Sequence, residues 1–135
     1  MVADTRAAVD ALAALTEIDG ARIYLAGYSL GGKVALFTAA LDDRIAGVIA
    51  ASAFTPLRTA PASTEGLRQY SHLHGLLPRL GFFEGQEPKV PIDYNEVLAA
   101  IAPRPVYVRA PTLDRYASLE DVGSRRGAIG LQASR

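Results

Sequence analysis

Residues 22–37 read RIYLAGYSLGGKVALF. An apolar run with β-branched and aromatic side chains leads into two overlapping glycine patterns. Gly27, Ser29 and Gly31 spell G-x-S-x-G, the mark of a serine nucleophile on a sharp strand-to-helix turn. Gly27 to Lys33 also spell G-x-x-x-x-G-K, the mark of a loop that cradles phosphates. The two readings place different chemistry on the same residues.

The flanking sequence separates them. Residues 21–26 form a short apolar run suited to a strand buried on both faces, residues 30–41 read as a helix, and residues 45–51 (IAGVIAA) read as a second buried strand. Strand, helix and strand in so short a span make a βαβ unit, with parallel strands and a right-handed crossover. A phosphate loop needs Ser or Thr after its lysine to hold magnesium, and Val34 stands there. The following strand carries no acidic residue for the metal either. The nucleophile turn needs small residues two before and two after the serine, and Gly27 and Gly31 supply them. It also places the positive end of a helix beside the developing oxyanion, with the Leu30 backbone N–H as one donor. On this reading Lys33 and Tyr28 are packing or solvated residues. The bland alternative is a glycine-rich turn with an ordinary serine.

Outward from this unit, residues 4–16 carry apolar positions at helical spacing, with Asp4 or Thr5 available as a cap. Residues 52–91 are irregular, hold Tyr70, Phe82 and Phe83, and read as a long functional connection or lid. Asp93 with Glu96 predicts a capping box opening a helix over 94–101, stopped by Pro103 and Pro105. Residues 106–110 predict a third strand, with a loop at 111–114. Residues 123–135 read as a frayed or non-native tail, leaving 1–122 as the domain.

Composition narrows the function classes. The 135 residues suit one domain, and 50% hydrophobic with 21% charged residues is a globular balance. Fourteen basic and 14 acidic side chains leave no overall field to attract nucleic acid. With no Cys and only His72 and His74, no metal site is expected. No run reaches the roughly 18 apolar residues of a membrane span, and no apolar signal core follows Met1. The expectation is a soluble, cytoplasmic protein where the N-terminus is genuine, with no nucleic-acid or membrane partner.

DGARIYLAGYSLGGKVALFTAALDDRIAGVIAASAFTP (19–56) and VPIDYNEVLAAIAPRPVYVRAPTLDR (90–115) resemble the α/β-hydrolase superfamily, in particular its dienelactone-hydrolase and acetyl-xylan-esterase-like members. The resemblance covers about residues 4–122. It implies a partial α/β-hydrolase fold of about three parallel strands with flanking helices, Ser29 as nucleophile, Leu30 as oxyanion donor and Asp114 as the acid. The competing role for Asp114 is a turn or capping aspartate. It further implies a serine hydrolase acting on a small-molecule ester or other acyl substrate, with no cofactor. Departures from the family pattern are plain. No His follows Asp114, and His72 and His74 precede it in YSHLHG. On an extended segment a spacing of two points them apart, and both read as surface or lid residues. The strands that the family places before residue 21 have no counterpart here, so the chain reads as a fragment. Its apolar sheet edges favour self-association, and it is expected to be inactive alone. The alternative functions are a non-catalytic remnant or interaction fragment, and a P-loop nucleotide-binding protein.

Overall fold

The computed structural model describes residues 1–59, 66–111 and 131–134. Helix α1 (Val2–Ala13) is followed by a 3-10 turn (Gly20–Arg22), strand β1 (Ile23–Tyr28), helix α2 (Leu30–Leu41) and strand β2 (Ile45–Ala51). After the long connection come helix α3 (Tyr94–Ile101), strand β3 (Val106–Pro111) and strand β4 (Leu131–Ser134). The strands lie in the order β1-β2-β3-β4, and every neighbouring pair is parallel. The three strands expected from sequence are present with flanking helices. Beside them, Leu131–Ser134, inside the stretch read as a frayed tail, pairs with Val108–Pro111 as β4.

Strand β1 starts later than the sequence predicts. The Asp19 carboxylate accepts from Ala21 N at 3.0 Å and caps the turn at Gly20–Arg22, which takes residues 21 and 22 out of the strand. The strand therefore runs through Gly27 to Tyr28 and meets the helix with only Ser29 between.

The expectation that β1 and β2 are buried on both faces is not met. Val48, Ala50, Val108 and Ala110 are buried on the face that α2 covers. On the opposite face Tyr24, Tyr28, Ile49 and Tyr107 are all exposed. The register Ala26↔Ile49↔Tyr107 and Tyr28↔Ala51↔Arg109 makes that face continuous across three strands.

Helix α2 is buried along much of its length, packed against β1 and β2 and flanked by α1 and α3. Its end is held by charge. Arg44 bonds both oxygens of the buried Asp42 carboxylate at 2.9 and 2.6 Å, and reaches Asp10 on α1. Helix α3 opens with the capping box that the sequence predicts: Asp93 and Glu96 satisfy each other's backbone N–H groups. Residues 52–91 contain a π-helical turn (Gln69–Leu73) and two 3-10 turns (Pro78–Phe83 and Glu87–Lys89).

Candidate active site

Ser29 is the only residue between β1 and α2, and its backbone sits at φ 51°, ψ −118°. A non-glycine residue there is strained by about 1–3 kcal/mol, and such strain persists only where the surroundings enforce it. Two hydrogen bonds do so. Ser29 N donates to Ala51 O at 2.8 Å, and Ser29 O accepts from Lys33 N at 3.1 Å. The chain thus turns at the C-terminal edge of a parallel sheet, where α/β proteins place their ligands.

Sterics complete the turn. A Cβ on Gly27 would overlap the Gly31 backbone and lie 2.5 Å from Gly32 N. A Cβ on Gly32 would lie 2.6 Å from Ala53 Cβ and 2.9 Å from Gly27 O. A Cβ on Gly31 would meet nothing within 4 Å. Close backbone approach therefore requires Gly27 and Gly32; the expected demand on Gly31 moves one residue along the helix. Leu30 opens α2, so its N–H belongs to the first turn, which has no intrahelical acceptor.

Ser29 lines a cavity of about 230 Å³, together with Lys33, Ser52, Thr55, Gln69 and His74. Ser52 directly follows β2 as Ser29 directly follows β1, and it too has a positive φ, 50°. Its N–H donates to Arg109 O at 2.8 Å. Lys33 lies one helical turn beyond Ser29 and is only 3% exposed. Its Nζ donates to Gln69 Oε1 at 2.8 Å and stands 4.3 Å from the centroid of the Tyr70 ring. Lys33 is thus a buried cation lining the cavity, where the sequence suggested packing or a solvated side chain. Its lysine in G-x-x-x-x-G-K was a usable signal, since that spacing puts it on the serine's side of α2.

The two histidines diverge, through a helical turn rather than an extended segment. His72 is exposed, with Nδ1 2.7 Å from Ser71 Oγ and 3.5 Å from Glu84. His74 lines the cavity. Asp114 lies outside the described residues. Among the described residues no cluster of His, Asp and Glu could hold a metal ion, and no helix is long and apolar enough to cross a membrane.

Residues 5–130 match the family described as "Glucuronyl esterase, fungi". The chain belongs to this glucuronyl esterase family. Membership also fits the fold, a partial α/β-hydrolase sheet with its serine turn. A curated relative, carbohydrate esterase MZ0003 from an unknown prokaryotic organism, is 30% identical over 106 residues. The match covers 76% of this chain and 24% of the relative, so the chain spans about a quarter of that protein. A promiscuous CE15 esterase from a marine bacterial metagenome superposes with a TM-score of 0.72 at 26% identity, over 86% of this chain and 30% of the other. A 2,6-dihydroxy-pseudo-oxynicotine hydrolase gives 0.64 at 26% identity, over 98% and 38%. This glucuronyl esterase-family chain is thus similar to two esterases and a hydrolase, and the family match itself spans Ser29.

Proposed function

We infer that this segment carries the nucleophile and part of the acyl pocket of a serine carboxylic ester hydrolase acting on sugar esters, in particular esters of a uronic acid. The observation that carries the reading is the strained Ser29 at a cavity that also presents a buried lysine. Ser29 Oγ attacks the ester carbonyl, and the Leu30 N–H stabilises the oxyanion with the help of the α2 N-terminus. The Lys33 ammonium and the Gln69 amide offer hydrogen bonds to sugar hydroxyls one helical turn from the nucleophile. The sugar enters through the relatives, which are a carbohydrate esterase and a glucuronyl esterase family. Asp114 serves to orient the general base.

The base itself sets the limit. His72 and His74 are the only histidines, and neither follows Asp114. Without a histidine after Asp114 for that acid to orient, attack and release of the acyl group both slow, and the 135-residue chain alone turns over ester poorly. Peptide mapping after exposure to an activated aryl ester tests the assignment. The acyl group is expected on Ser29 and absent from Ser29→Ala. Acylation confined to lysines and the N-terminus contradicts it.

A further inference from the structure

The aromatic network behind Lys33 has two ends. Tyr70 is fully buried, and its ring face carries the Lys33 ammonium at 4.3 Å. Its hydroxyl lies 3.1 Å from Thr55 O and 3.1 Å from the hydroxyl of the equally buried Tyr94. Tyr94 in turn donates to Ala53 O at 2.8 Å. Burial pushes both phenols above their ordinary range, so both keep their protons to donate. Residues 53 and 55 follow Ser52, and Thr55 itself lines the cavity. One side chain therefore touches the cavity's cation with its ring and the cavity's wall with its hydroxyl.

Those two contacts do different work. A lysine on a four-carbon stem loses much rotamer freedom when it is fixed. The hydrogen bond to Gln69 Oε1 does not by itself fix where the ammonium points. A ring face attracts a cation along its normal, and more strongly where water is excluded. The Tyr70 ring supplies such a restraint, on a helix-borne lysine that already shares the nucleophile's cavity.

We propose that Tyr70 is a positioning residue that sets the Lys33 ammonium for sugar recognition through its ring face, while its hydroxyl, with Tyr94, holds the Ala53–Thr55 wall. The proposal rests on the sugar-ester reading of the site. It separates two functions within one side chain, so Tyr70→Phe keeps the first and loses the second.

The test has two readouts. The chain has only two lysines, Lys33 and Lys89, so a spectrum of ¹³C-labelled lysine resolves both ε-methylenes. In the wild type, Lys33 is expected upfield of the exposed-lysine position through the ring current. Tyr70→Phe keeps that shift and Tyr70→Leu abolishes it. Tyr94→Phe, which removes a wall bond without touching the ring, keeps it and serves as the packing control. Titration with glucuronic acid methyl ester is the second readout. Tyr70→Leu is expected to weaken binding about tenfold, Lys33→Met by a similar factor, and the double variant no further. Tyr70→Phe is expected to bind within about threefold of wild type, since it retains the cation–ring contact.

Loss of the Lys33 shift in Tyr70→Phe overturns the proposal, as does its survival in a folded Tyr70→Leu. Unchanged binding by Tyr70→Leu alongside a lost shift also overturns it. Wild-type binding by Lys33→Met, or no binding by the wild type, counts instead against the sugar-ester reading. The lysine spectrum decides the positioning claim in either case.

Discussion

The Ser29 turn and the 52–91 connection line one cavity, but they are held in opposite ways. The turn is held by exclusion. Gly27 and Gly32 leave no room for another atom, and the remaining bonds are backbone to backbone. The connection is held by side chains that reach across 15 to 41 residues. The buried Asp93 carboxylate takes Leu57 N at 2.8 Å and Arg58 N at 3.3 Å, besides capping α3. Arg58 returns to Val90 O, Pro91 O and Glu96, and the Tyr70–Tyr94 pair ties Ala53 and Thr55. One wall of the cavity is therefore damaged by adding atoms and the other by removing them.

The largest effect should follow from removing the hub of the connection. Asp93→Ala leaves several buried N–H groups without an acceptor, and a loss of about 3–5 kcal/mol is expected. Denaturant unfolding measures it; a loss below about 1 kcal/mol would show that other contacts carry the connection. Next comes Gly27→Ala, where the new methyl meets backbone and cannot be relieved by a rotamer change. About 3 kcal/mol is expected, and a neutral result would break the exclusion account of the turn.

A third prediction concerns the far end of α2, where charge does the holding. Arg44 keeps the Asp42 carboxyl well below the usual range. A depressed native pKa gives stability that is fully present above the unfolded value, near pH 4, and lost as pH falls toward the native one. Asp42→Asn should cost about 2 kcal/mol at neutral pH, and the gap to wild type should narrow in acid. A gap constant from pH 7 to 2 would contradict the pairing. The smallest effect is expected at Gly31, where a methyl meets open space. Gly31→Ala should be neutral or stabilising by up to about 1 kcal/mol, as Ala is the better helix former. A large loss there would return the steric demand to the G-x-S-x-G glycine.

These contrasts explain what the sequence discloses. The turn, α2, β2 and the capping box of α3 depend on residues within a few positions of each other, and all are readable locally. The start of β1 shifts because Asp19 caps a turn that an apolar run conceals. Its exposed face is hidden for a similar reason, because Tyr24 and Tyr28 serve equally well in a core or on an open face. Gly32 is overlooked because its clash is with Gly27 and with Ala53 on the far side of β2. Lys33 is the clearest case, because Gln69 and Tyr70, 36 and 37 residues further along the chain, turn it from a helix-surface lysine into a cavity cation. Long-range pairing of that kind leaves no periodic trace. The acid assigned to Asp114 lies outside the described residues and stands on the resemblance alone.

The central claim is that Ser29 is a nucleophile whose base this sequence does not provide after Asp114. Chemical rescue tests it directly. Turnover of a short-chain p-nitrophenyl ester by the purified, folded chain is measured with increasing free imidazole, and Ser29→Ala is measured in parallel. Little turnover is predicted without imidazole, and with it a saturable rate above the imidazole background that Ser29→Ala lacks. Identical rates for wild type and Ser29→Ala at every imidazole concentration would contradict the nucleophile. Robust Ser29-dependent turnover without imidazole would contradict the missing base.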